Sequence, residues 1–357
     1  MVDRASTKTL RFCGCAQFRQ RIVCSTLSSR PVRINRIRES DEQPGLKQCE
    51  ASLLRLMDRL TNGSKIEINE TGTSVRYVPG VLMGGSFTHD CGTERAIGYF
   101  LEALLPLAPF CKKRLVVRLQ GITNDDTDPS IDAMRSCAMP LIKRFGIEAN
   151  VQLKRRGAPP GGGGEIVFSC EPVRELSPIE LVEPGLIKRV RGVAYCTKTS
   201  PQFANRMVTS ARALLNRLIP DVYIYTDHYT GKEAGESPGY ALSLMAETTE
   251  GCQISAECAA VGKSMPEDIG DRCSRLLCDE IAKGGCVDTP LQSLALLLMA
   301  VSSEVSEGRP KPTCRRCRRR CRCRRRCPRR ASLTAHHWLR PHVIGGIKLT
   351  QEQISDD

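Results

Sequence analysis

Between residues 10 and 170 the apolar positions follow one six-element order twice. An apolar, cysteine-containing segment at 10–28 fits a short strand running into a helix, and 32–38 reads as a strand ending in Arg33, Arg36 and Arg38. Pro44-Gly45 opens a second helix whose Leu53, Leu54, Met57 and Leu60 share one face, and Asn62-Gly63 ends it. Ile66 and Ile68 alternate with polar residues, Thr71-Gly72 turns the chain, and 74–78 returns as the second arm of a hairpin. The order β-α-β-α-β-β then recurs: strand 85–90, helix 93–105, strand 115–120, a second helix, strand 150–155 and strand 165–170. In that second helix Asp128 is expected as the cap and Pro129 as the first residue. Ile131, Met134, Leu141 and Phe145 line one side, Pro140 kinks it and Gly146 stops it. Two copies about 80 residues apart predict an internally repeated α/β fold.

A third copy should begin at 176–181, but an insertion follows. Strand 189–198, a helix carrying Phe203, Met207, Ala211, Leu214 and Leu218, strands 222–229, 240–247 and 253–260, and helix 266–282 make a smaller α+β domain. Past Gly284-Gly285, residues 290–300 resume the third unit as a helix apolar nearly all round, which must be buried on several sides. The remaining β-α-β-β never comes, so Leu294 to Met299 should be left as an uncovered apolar patch. The expected division is 1–184 for the repeated domain, 185–285 for the insertion, 286–301 for the resumed third unit and 302–357 for a divergent tail. Residues 309–330 are an Arg, Cys and Pro tract with no periodicity that could rebuild a sheet. The tail reads as disordered or as another reading frame, which transcript reads across the codons for 298–305 would decide.

The densest local signal is Lys154-Arg155-Arg156-Gly157-Ala158-Pro159-Pro160-Gly161-Gly162-Gly163-Gly164-Glu165. The amides of Gly161, Gly162 and Gly163 could form an anion nest beside three cations. Equally, the glycines could only supply the positive φ of a hairpin, since the lysine and hydroxyl of a nucleotide P-loop are missing.

Charge adds less than its total suggests. The net charge is +14, but residues 301–357 hold 15 Lys or Arg and 5 Asp or Glu and so carry +10 of it. The longest apolar run, 294–301, is far below the roughly 20 residues needed to span a bilayer, and Met1 to Lys8 lacks the apolar core of a secretory signal. The expectation is an intracellular chain with no membrane association and nineteen reduced cysteines. In the tail, Cys314, Cys317, Cys321, Cys323 and Cys327 with His336 and His337 have superficial zinc spacing, but no apolar residues exist to build a mini-core, so no metal is expected. Asp125, Asp126 and Asp128 form an acidic cluster that could bind Mg²⁺ or act as acid or base in RNA cleavage, or simply be a solvated loop and helix cap; Asp227-His228 reads as a surface pair.

Six segments carry a resemblance: Pro31-Val32-Arg33-Ile34, Thr61-Asn62-Gly63-Ser64-Lys65-Ile66, Gly84-Gly85-Ser86, Thr123-Asn124-Asp125, Pro159-Pro160-Gly161-Gly162-Gly163-Gly164-Glu165 and Gly284-Gly285-Cys286-Val287-Asp288. From about residue 8 to Ala300 the chain resembles the RNA 3′-terminal phosphate cyclase superfamily, in its non-catalytic eukaryotic cyclase-like branch. That resemblance implies three β-α-β-α-β-β units with an inserted domain. True cyclases use ATP and a covalent nucleotide on a C-terminal histidine. Where they carry Glu-Gly-Gly-Gly-Gln this chain has Phe12-Cys13-Gly14-Cys15-Ala16, and their Gly-Thr-Ala-Gly-Ser run is Gly92-Thr93-Glu94-Arg95-Ala96 here. The nucleophile's segment falls in the tail, so neither His336 nor His337 takes that role by position.

The resemblance therefore implies no catalytic residue and no cofactor. It implies a component of the nucleolar small-subunit processome, located in the nucleus and nucleolus, that supports early pre-rRNA cleavage toward 18S rRNA and binds and activates a nucleolar GTPase. RNA phosphates of the pre-rRNA or a snoRNP-containing particle would then meet Arg33, Arg36, Arg38, Lys154, Arg155 and Arg156 with the glycine turn. Two rivals remain: an endoribonuclease using Asp125 and Asp128, and a residual ATP-dependent cyclase.

Overall fold

A computed structural model describes residues 9–262 and 264–302, with the backbone of 307–308 and 333–334. The zinc-like cysteines and His336 and His337 lie outside the described residues.

The first repeat runs β1 (Leu10–Cys13), α1 (Phe18–Ser28), β2 (Val32–Asn35), α2 (Gln48–Leu60), β3 (Lys65–Ile68) and β4 (Val75–Val78). The second runs β5 (Gly85–Asp90), α3 (Ile97–Leu104), β6 (Leu115–Gly121), a helix α4, β7 (Ala149–Arg155) and β8 (Gly164–Cys170). The sheets are ordered β1-β2-β4-β3 and β5-β6-β8-β7. In each, the first two strands are parallel and the hairpin joins antiparallel. The predicted repeat is therefore one topology laid down twice. Each sheet turns its apolar side to the helices: Val32, Ile34, Val75 and Tyr77 in the first and Val117, Leu119, Ile166 and Phe168 in the second are buried in one common core.

The pattern in α4 differs in detail. Ile131–Ala133 is α-helical, Met134–Ala138 makes a π turn, and Met139–Arg144 is α-helical again. Pro140 has no N–H to close an α turn, and the wider turn just before it absorbs that defect. Asp128 is not the cap: the Ser130 hydroxyl accepts from the Ala133 N–H at 3.1 Å. Helix α3 begins at Ile97 and not at Thr93, because Glu94 and Arg95 are held by other elements.

The insertion is β9 (Ile187–Thr197), α5 (Gln202–Leu215), β10 (Val222–Tyr229), β11 (Gly239–Thr248), β12 (Gln253–Ala259) and α6 (Pro266–Ala282). Its sheet, ordered β10-β9-β11-β12, packs under α5 and α6 around a second core. After it, α7 (Gln292–Val301) lies with Leu294, Leu298 and Met299 buried in the core of the repeats. The uncovered patch expected there does not exist: Leu298 is fully buried, and Leu296 and Leu297 pack against the same core.

Candidate nucleic-acid interface

The glycine turn joins β7 to β8, and it is not an open cradle. Gly162 and Gly163 both take φ near +69°, which only glycine adopts without strain. Yet the Gly161 N–H donates to the Ser237 hydroxyl at 2.9 Å and the Gly162 N–H to the Ala158 carbonyl at 2.9 Å. The Gly162 carbonyl accepts from Glu236 N–H at 3.0 Å, and a Cβ on Gly163 would stand 2.9 Å from Glu236 Cγ. The turn is thus covered by residues 234–237, and its glycines serve a close approach of two backbones.

The three cations before the turn separate. Lys154 is exposed, and Arg155, also exposed, donates to the Lys232 carbonyl at 3.1 Å. Arg156 is only 1% exposed: it forks onto Asp132 at 2.5 and 3.1 Å, its guanidinium lies 4.0 Å from the Tyr195 ring centroid, and its backbone N–H reaches Glu233. It belongs to the seam between α4 and β9, so it drops out of the set expected to meet RNA phosphate. Beside it, the buried Glu257 carboxylate accepts from Ser130 N–H at 2.9 Å, and burial raises its pKa to about 7.

At the end of the first sheet, Arg33 is exposed on β2 and Arg36 is exposed with a left-handed backbone, donating to the Cys13 thiol at 3.5 Å. Arg38 instead grips Glu50 with two bonds, at 2.8 and 2.6 Å, and holds the Gly45 carbonyl. It anchors the 36–47 loop to α2 and also leaves the phosphate-binding set. Arg21, whose guanidinium packs 4.7 Å from the Phe12 ring centroid, donates to the Gly14 carbonyl at 2.8 Å.

The acid–base candidates are committed elsewhere. Asp128, with 2% of its side chain exposed, forms a two-pronged ion pair with Arg95, 2.7 Å at Nε, and accepts from Ala96 N–H. Asp125 accepts from the N–H groups of Thr127 and Asp128, and burial moves its pKa upward. Their neighbour Asp126 pairs with Arg272. The His228 ring and Thr199 carbonyl are 3.0 Å apart at an exposed site.

One feature had no local signal in the sequence. A cleft of about 280 Å³ opens between the N-terminus of α2 and the end of β5, lined by Cys49, Ser52, Arg55, Arg59, His89 and Glu94. The Glu94 carboxylate accepts from the Cys49 N–H at 2.7 Å, and Glu50 accepts from Lys47 N–H at 2.9 Å. The positive end of α2 is therefore filled by the chain's own carboxylates. His89 and Ser52 are 3.0 Å apart, and burial, helped by Arg59, lowers the His89 pKa to about 4. It is neutral at physiological pH and cannot serve as a proton acid there.

The sequence profile of the RNA 3′-terminal phosphate cyclases matches residues 10–326. The chain belongs to that family. Among relatives, the human RNA 3′-terminal phosphate cyclase-like protein is 55% identical over 304 residues, 83% of this chain and 82% of that protein. The probable cyclase-like protein of Dictyostelium discoideum is 51% identical over 313 residues, 83% of this chain and 84% of the relative. The fission yeast protein named rRNA processing protein rcl1 is 47% identical over 299 residues, 82% of each. The profile match continues past Ala300 into the Arg-Cys tract, further than the six sequence segments reach.

Cys13, Cys15, Arg21 and Arg36 at the end of β1 offer thiols and cations, whereas a hard divalent ion requires oxygen ligands. Among the described residues, no group of three or more His, Cys, Asp or Glu is placed to hold a metal ion. Glu94 brings negative charge to the helix end where a nucleotide phosphate would otherwise be favoured. The described residues at these two places do not fit a metal–nucleotide complex.

Proposed function

We propose that this chain acts in pre-rRNA processing without cyclase chemistry, as a nuclear and nucleolar component of the small-subunit processome that supports formation of 18S rRNA. Relatedness to the fission yeast rRNA processing protein, over 82% of each chain, carries the reading. The Glu94 carboxylate on the N-terminus of α2 supports the non-cyclase part, because it opposes a second anion there. The role is docking. The rigid repeats hold a nucleolar GTPase and promote its nucleotide exchange, while the exposed Arg33, Arg36, Lys154 and Arg155 contact RNA phosphates. An endoribonuclease is the weaker reading, since Asp128 is buried in an ion pair and Asp125 serves its own loop.

The test is replacement of the fission yeast relative by this chain. Restored 18S rRNA with no label acquired from α-labelled ATP is the expected result. Unprocessed precursor in the replaced strain would refute the processing role, and labelled protein would refute the loss of nucleotide chemistry.

A further inference from the structure

The two sheets bury one side each, and their other sides differ in charge. On the first, the register places Arg11 opposite Arg33, Arg33 opposite Arg76, and Arg76 opposite Glu67. Three arginines thus stand abreast on β1, β2 and β4, roughly 4.8 Å from strand to strand. All three are exposed. Only Arg76 has an ion pair among the described residues, a solvent-exposed contact to Glu67 at 3.2 Å, which is worth little. A corresponding row of the second sheet, Thr88, Arg118, Val167 and Gln152, holds a single arginine, which pairs with Glu165 at 2.8 Å.

Like charges directly opposite one another on neighbouring strands oppose folding. A bound polyanion would relieve that repulsion, and the second sheet shows that the same topology does not require it. The cations form a line and do not converge, so a single anion or nucleotide could engage only part of the row. A polynucleotide crossing the strands meets one guanidinium per strand, and the planar guanidinium fork fits phosphate oxygens in pairs. The row holds no aromatic or aliphatic anchor of the kind that dominates protein–protein contacts.

We infer that the open face of the first sheet, through Arg11, Arg33 and Arg76, is a track for the phosphate backbone of single-stranded RNA. The inference rests on the pre-rRNA reading above and extends it to two arginines outside the sequence-derived set. It makes Arg33 the middle of a row and not an isolated strand-end cation.

The test is the salt dependence of binding of the full chain to a fluorescent single-stranded oligouridylate. The variant R11Q/R33Q/R76Q should lower the magnitude of the slope of log K against log salt by about 2, while R11K/R33K/R76K keeps it. R118Q, in the second sheet, should leave the slope unchanged. A wild-type slope retained by the glutamine variant overturns the track and leaves the processing role standing. Wild-type protein that binds no RNA, in a chain that still restores 18S rRNA in yeast, overturns the track and all direct RNA contact. Polyglutamate competing as well as RNA overturns it in favour of an acidic protein partner. If R11Q/R33Q/R76Q fails to fold, R11Q/R33Q decides with an expected slope change of about 1.4.

Discussion

In the first repeat the open sheet face carries Arg11, Arg33 and Arg76 abreast with one weak acidic partner. In the second, the same strands carry Thr88, Arg118 and Val167, and the cation beyond them, Arg156, is turned inward onto Asp132. One topology thus supports two uses. The second repeat turns Arg156 into the seam with the inserted sheet, where Arg156, Glu257 and the glycine turn lock elements together, while Lys154 and Arg155 stay exposed. The first ties Arg38 to Glu50 but keeps Arg11, Arg33 and Arg76 in solvent, where they add nothing to the fold and remain available to a polyanion.

Breaking the seam should have the largest effect. Arg156→Ala leaves Asp132 buried and uncompensated, and urea unfolding should show a loss of about 3–5 kcal/mol; a change below about 1 kcal/mol would mean that the pair is not a structural lock. Next comes pH. The folded pKa of Glu257, about 7, lies above its ordinary 4.5, so the folded state binds more protons than the unfolded state between those values. Stability from this group is full below pH 4.5 and is lost as pH rises to 7. Glu257→Gln should therefore stabilise the protein at pH 8 relative to wild type by about 1–3 kcal/mol and have little effect at pH 4. Equal effects at both pH values would contradict the assignment.

Smaller effects separate the glycines. Gly163→Ala meets Glu236 at 2.9 Å as well as a left-handed backbone, and Gly14→Ala, in the first repeat, has nothing within 4 Å and the same backbone sign. Thermal unfolding should show a loss of about 2–3 kcal/mol for the first and about 1 kcal/mol for the second. Smallest of all, R11Q/R33Q/R76Q should leave stability without RNA unchanged or raised by about 0.5 kcal/mol. A marked loss would make the row structural and erase the contrast between the repeats.

The repeat itself was legible because strand and helix periods are local properties of sequence: Ile66 and Ile68 alternate, and Leu53, Leu54, Met57 and Leu60 share a helix face. Partner choice was not. Nothing near Arg156 indicates that Asp132 waits on another element, and nothing near Arg38 marks Glu50. The same blindness placed the cap of α4 at Asp128, whose carboxylate is drawn to Arg95, 33 positions away. The glycine run announced a close approach without saying what approaches; the answer, Glu236, lies in the insertion. Arg11 and Arg76 were passed over because only strand register brings them level with Arg33.

Arginine-specific modification by phenylglyoxal, mapped by mass spectrometry with and without a pre-rRNA fragment, reads the contrast between repeats directly. Arg11, Arg33 and Arg76 should be protected by RNA while Arg118 keeps its reactivity and Arg156 stays unreactive in both states. Protection of Arg118 with Arg11, Arg33 and Arg76 unchanged would contradict the division of roles between the two repeats.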